Sequence, residues 1–355
     1  MQDSSPLPLC LKFEHILFEL YTSSPFIKNK ILSEFDFFLV PHTFIRHATW
    51  RLHISVTNSH PTAPKSSYLV WKSHKSRVYK KQNDYFINWF SGKVITYEKR
   101  EQREVWVNGM EENAVWEVLY LFLHAKVGKT LDYRGIHRLH ACAFAINNRG
   151  FAVSMPSGGG KSTFLYQLIK IFQNSSLPRT SHPSVTSFAL LSDDSPFIHP
   201  QGTLGPFPTR LSLDLPPEET SLPEASLFLR QNYLPKWTYP LSKMSVASET
   251  QDVPCAGVFF GTRSNHVSQI TALSAPLFFF YLLAPFIFGI GLPQVIEFFF
   301  SFSFRDFPET MKILFLRTKA AYRLTQTTQG FKFSLSNDPK QNVETFLKWR
   351  ESCFP

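Results

Sequence analysis

Between Trp50 and Gly109 the chain alternates apolar and polar residues in short runs: WRLHISV, SSYLVW, SRVYKK, DYFINWF, GKVITYE and REVWVNG. A period of two in β-branched and aromatic residues, broken by Asn, Gly, Pro and Lys, predicts strands. Six in succession predict a small antiparallel, strand-rich module over residues 1–112. The period then changes. In NAVWEVLYLFLHAKVG, Val115, Val118, Leu119, Phe122 and Leu123 share one helical face, and Gly128 is a stop signal.

From Arg138 the pattern reads strand (HACAFAI), turn (NNRG), strand (GFAVSM), glycine-rich loop, then helix (KSTFLYQLIKIF). A Pro/Ser-rich insertion, QNSSLPRTSHPSVTS, precedes a buried strand in FALLSDD. Further strands are predicted at AGVFFGT, SQITAL and MKILFLR. The last element is a helix with Asp338 as N-cap and Pro339 in its first turn. This succession predicts an α/β domain of α+β character over residues 113–355.

Composition adds little to the fold and more to its setting. A chain of 355 residues, 43% hydrophobic, can bury a substantial core. The net charge is +10, with many cations between Lys65 and Arg103; a solvated strand face accounts for them, an acidic partner being the alternative. No nucleic-acid motif accompanies them, so nucleic acid is not an expected partner. Cys10, Cys142, Cys255 and Cys353 lack metal-ligand or disulfide spacing, which predicts free thiols in a reducing compartment. No secretory signal is apparent at the N-terminus, and the cytoplasm is the expected location. Ala272–Ile296 carries no charge and is long enough to span a membrane, but Pro276, Pro285 and Pro293 interrupt it. A buried helix-loop-helix is the expectation, with membrane contact the alternative.

The chemistry concentrates in PSGGGKST, Pro156–Thr163. Gly158, Gly159 and Gly160 let several backbone N–H groups point into one concavity, the shape of a phosphate cradle. Lys161 offers an ammonium to the outer phosphates, Ser162 a hydroxyl to magnesium, and the following helix its positive end. Met155 stands where such loops usually begin with glycine, consistent with an ordinary strand conformation there. Asp193 and Asp194 end an apolar strand downstream; a carboxylate there can hold a metal or accept a proton from an attacking hydroxyl. His140 lies on the strand entering the hairpin before the loop. A lone histidine in such a place is more often a core residue than a catalytic one.

Together, the interval from His140 to Lys161, the strand-turn-strand between them, the glycine loop and the strand ending in Asp-Asp resemble the catalytic domain of the HPr kinase/phosphorylase family. The resemblance implies a P-loop core akin to phosphoenolpyruvate carboxykinase and transfer of the γ-phosphate of ATP to a hydroxyl. It implies that His140 sits beside the reacting phosphate and Lys161 clamps it. Ser162 would hold Mg2+, Asp194 would be the base, and Asp193 would be its support or a further metal contact. Pro156, Ser157, Gly158, Gly159, Gly160, Lys161, Ser162 and Thr163 would bind the nucleotide.

The departures are specific. The family's E-x-R-G-x-G signature is absent, leaving Glu218 or Glu219 as substitute metal ligands, and the segment matching its Pro-Gly-Arg turn is LSAPL, without arginine. Arg210 or Arg263 is the candidate replacement. These losses argue against the HPr protein as acceptor and against the phosphorylase reaction. The acceptor is then another protein, a peptide or a small molecule, and a homo-oligomer is compatible with the resemblance. A non-catalytic ATP-binding module is the alternative. A transporter-type ATPase is a third reading, disfavoured because no LSGGQ-like signature is present and Asp194 follows Lys161 by only 33 residues.

Overall fold

The computed structural model describes residues 8–42, 48–57, 66–73, 75–173, 187–220, 222–244, 247–248, 251–292 and 307–354. They are mixed α/β, with several mixed sheets. The chain divides into two compact units: Met1–Thr130 with Leu227–Lys236 and Glu297–Thr310, and Leu131–Ser226 with Trp237–Ile296 and Met311–Pro355.

The first unit is built on β1 (Leu9–Phe13), β2 (Ile16–Thr22), α1 (Pro25–Glu34), β3 (Trp50–Val56), β4 (Tyr68–Lys72), β5 (Ser76–Lys81), β6 (Asp84–Trp89), β7 (Val94–Lys99) and β8 (Glu104–Gly109). All six predicted strands form, and two more precede them. The sheet order is β1-β2-β3-β8-β7-β6-β5-β4. It is mixed rather than antiparallel, because β3 pairs in parallel with both β2 and β8. The cause is α1: a helix between β2 and β3 returns the chain to start β3 in the same direction. Ser24 caps α1 by accepting from Ile27 N–H at 3.2 Å.

Helix α2 (Glu112–Asp132) buries the predicted face, with Val115, Val118, Leu119, Phe122 and Leu123 at most 3% exposed. Gly128 does not end it. A glycine inside a helix costs about 1 kcal/mol, which the burial of Val127 and Leu131 on either side offsets. The helix also buries Lys126 on Glu98 of β7.

In the second unit come β9 (His137–Arg138), β10 (Cys142–Ile146), β11 (Arg149–Ser154), α3 (Lys161–Gln173), β12 (Phe188–Ser192), β13 (Phe197–Ile198), β14 (Thr203–Gly205) and β15 (Arg210–Leu213). In chain order follow α4 (Pro217–Thr220), β16 (Ser226–Phe228), most of which is counted with the first unit, β17 (Lys236–Pro240), β18 (Ala247–Ser248), β19 (Val253–Arg263), β20 (Gln269–Ala272), α5 (Ala275–Leu282), α6 (Phe307–Thr327), whose first four residues are counted with the first unit, β21 (Gly330–Leu335) and α7 (Pro339–Cys353).

Asn147 and Asn148 both adopt positive φ, 49° and 58°, and so close the predicted hairpin β10–β11 with a tight turn. β10 is antiparallel to both β11 and β12, and β11 runs parallel to β19, which runs parallel to β21. Phe144, Phe151 and Phe259 of this sheet pack edge-to-face or tilted with one another, with Phe164 of α3 and with Phe346 of α7. Asp338 caps α7 as expected, accepting from Lys340 N–H at 2.9 Å.

MKILFLR is helix, not strand: it lies within α6, where Ile313, Arg317, Ala321 and Leu324 bury one face at helical spacing. A seven-residue apolar run is ambiguous by itself; only the longer window shows the period. The predicted insertion after α3 falls mostly on 174–186, outside the described residues, as do residues 293–296 of the uncharged segment. The rest of that segment is α5 and a widened turn over Leu283–Ile287, with Phe288 N–H bonded to Leu283 O at 2.9 Å. Among the described residues, no helix is long and apolar enough to cross a membrane. The four cysteines are free, three of them buried.

Candidate phosphate-binding site

Strand direction brings the site together. Since β10 opposes both β11 and β12, the N-terminal end of β10 and the C-terminal ends of β11 and β12 share one sheet edge. His140 precedes β10, the glycine loop follows β11, and Asp193 and Asp194 follow β12. Residues distant in sequence thus meet at one end of the sheet, beside the carboxyl ends of β11 and β12; open α/β sheets bind ligands outside such ends.

The loop owes its course to its glycines. Gly158 and Gly160 have φ of 74° and 103°, a region that side chains disfavour. Gly159 has no room for one: a Cβ would lie 2.8 Å from Pro156 O. Phe164 N–H bonds Gly160 O at 2.8 Å and starts α3. Met155 is buried without positive φ, and its side chain packs over Gly261 of β19, where a Cβ would meet Met155 Cγ at 2.7 Å. The neighbouring strand's glycine makes room for a residue that the usual loop pattern does not carry.

Lys161 is buried, its Nζ donating to His140 Nε2 at 2.8 Å and to Met155 O at 3.2 Å. Asp194 Oδ1 lies 3.2 Å from the same imidazole nitrogen and 3.7 Å from the ammonium. Among these three side chains only Asp194 reaches the surface, at 44% exposure against 6% for His140 and 9% for Lys161.

Asp193 turns the other way, as adjacent residues at a strand end should. Its Oδ2 accepts from Ser162 Oγ at 3.0 Å and from Ser212 N–H at 3.1 Å. Its Oδ1 is buried with no hydrogen-bond partner. Burial and the charge of Asp194 push its carboxyl up to about 6, against the opposing pull of Ser162, Ser212 and Lys161. A buried carboxylate oxygen lacking a donor, beside a serine hydroxyl, suits a hard cation such as Mg2+.

The structure thus brings His140, Lys161, Ser162, Asp193 and Asp194 to one edge. Pro156, Ser157 and Gly158 are exposed on the loop, and Thr163 lines a small cleft of about 120 Å³ with Gly159, Gly160 and Arg263. Arg263 donates to Gly158 O at 3.2 Å, whereas Arg210 is buried at the start of β15. Glu218 and Glu219 are exposed on α4.

Several supporting residues escape sequence reasoning. Ser154 Oγ donates to His140 O at 2.8 Å, and His140 N–H donates to Pro285 O at 3.1 Å. Gly291, at φ 93°, lies against the His140 ring so closely that a Cβ would sit 2.0 Å from Nδ1. The uncharged segment is therefore a wall of this site, and the widened turn places its carbonyl. The only hint in sequence was a Gly-x-Gly just ahead of a proline. Compared with known protein families and with curated proteins, the chain matches none.

Proposed function

We propose that this chain is an ATP-dependent kinase with a P-loop core of the HPr kinase and phosphoenolpyruvate carboxykinase type, acting in the cytoplasm on a hydroxyl of a protein, peptide or small molecule. The observation that carries the reading is the convergence of His140, Lys161 and Asp194 within 3.7 Å of one another beside a three-glycine loop. ATP, as substrate, would lay its phosphates on the loop amides at the N-terminus of α3. Lys161 then exchanges Met155 O and its neighbours for phosphate oxygens. Ser162 and Asp193 would hold Mg2+, which neutralises charge on the β- and γ-phosphates.

Asp194, the most exposed of the three, is placed to meet an incoming acceptor. The acceptor oxygen attacks the γ-phosphorus, the bond from that phosphorus to the β–γ bridging oxygen breaks, and ADP leaves. The hydroxyl proton passes to Asp194. His140, against Lys161, faces the transferring group. Lys161→Ala should abolish ATP binding in a titration with magnesium; unchanged affinity would refute the assignment. Asp194→Asn should keep ATP binding and lower phosphate transfer from labelled ATP by about 10²–10⁴-fold. Binding by the wild-type chain with no transfer to any acceptor instead supports the non-catalytic module.

A further inference from the structure

A second cavity in the same unit, of about 280 Å³, shares no lining residue with the glycine-loop cleft. Its walls include the apolar side chains of Ile198, Leu316, Ala320 and Leu324, and Arg134, Lys319 and Arg323 also line it. These three cations are exposed, and none pairs with a carboxylate among the described residues. Two acids stand behind the wall, each against a histidine that lines it. Asp132 binds Arg317 and His137, and Asp252 sits 3.3 Å from His199.

Lys319 and Arg323 are four residues apart on α6, so they share a face and repel each other. Arg134 comes from the turn after α2, a separate element. Two repelling cations and a third from another segment, around an apolar floor and with Asp252 beside His199 as the one of these two acids not held by a buried arginine, leave an excess positive field that low-dielectric walls strengthen. The volume falls just below the usual range of roughly 300–1,000 Å³ for drug-sized ligands, too small for a peptide.

We infer that this cavity is a binding site for a compact polyanion carrying phosphate or carboxylate groups. The inference does not rest on the kinase reading, and its test is made where the glycine loop is disabled. Full-length Lys161→Ala protein is titrated calorimetrically with pyrophosphate and, separately, with citrate, at low ionic strength. Saturable binding of either is expected, weakening as salt rises. Which of the two binds tighter separates phosphate from carboxylate recognition.

Adding Lys319→Glu and Arg323→Glu should cut the affinity at least tenfold. Adding Lys319→Gln and Arg323→Gln should cut it about threefold to tenfold, with the melting temperature kept as a check on folding. No saturable binding of either anion, or an affinity within twofold after charge reversal, overturns the inference.

Discussion

Two buried aspartates in the second unit, Asp132 and Asp193, differ in what surrounds them. Asp132 has both oxygens engaged: Arg317 grips it through two nitrogens, and His137 Nδ1 lies 2.8 Å from Oδ1. Burial alone would raise its pKa, but Arg317 and His137 hold it below the ordinary carboxylate value. Asp193 is equally buried and has one oxygen without a donor, and burial raises it to about 6. A carboxylate whose bonds are complete serves the fold. One left incomplete at a sheet edge is a place for something the chain does not itself supply.

The largest effect is expected at the completed knot. Asp132→Asn leaves the Arg317 guanidinium, 1% exposed, without its charge partner. Breaking a buried pair in this way costs about 3–5 kcal/mol, to be read from denaturant unfolding at pH 7. The loss should shrink in acid: a depressed carboxylate stabilises the fold above its unfolded pKa, and that stability goes as the pH falls through the folded value. A variant within 1 kcal/mol of wild type at pH 7 would break the comparison.

Asp193 should behave with the opposite sign. Its raised pKa means that stability is full below the unfolded value near 4 and is lost as the pH rises through about 6. A carboxyl raised from the ordinary value near 4 to about 6 corresponds to about 3 kcal/mol. Asp193→Asn, which retains an acceptor for Ser162 Oγ and Ser212 N–H, should therefore stabilise the protein at pH 8 by about 2–3 kcal/mol and leave it unchanged at pH 4. The same variant should lose magnesium-dependent ATP affinity. Thermal melts across pH 4–8 check the first claim, and a flat difference across that range would contradict it.

The contrast also separates what sequence could reveal from what it could not. The glycine loop with Lys161 and Ser162 is one contiguous run and the Asp193–Asp194 pair another, and each is recognisable from its own neighbours in the chain. His140 was legible only through a spacing that resembles a family. Its supports, Ser154, Pro285 and Gly291, arrive from other elements, as does Ser212 for Asp193, and no local pattern announces such contacts. Lys161 and Asp194 were expected to act on phosphate; their mutual bonds with His140 come from strand directions that alternation along one strand does not encode. The Asp132–Arg317 knot was hidden because Arg317 lies in the run misread as a strand, and an arginine on a buried helical face is invisible until the helix is.

A smaller effect tests whether His140 is held by shape, where His137 is held by its hydrogen bond to Asp132. Gly291→Ala adds a methyl where the His140 ring stands and imposes a left-handed residue, which costs roughly 1–2 kcal/mol by backbone conformation alone. Gly135→Ala supplies the control: φ there is 78°, but the nearest atom to a Cβ, on Pro200, is 3.5 Å away. Both variants should lose similar stability to backbone strain. Only Gly291→Ala should also displace the imidazole from Lys161 and Asp194, reducing phosphate transfer about tenfold beyond the control. Equal transfer rates in the two variants would mean that the ring position beside Lys161 does not depend on the close approach of this loop.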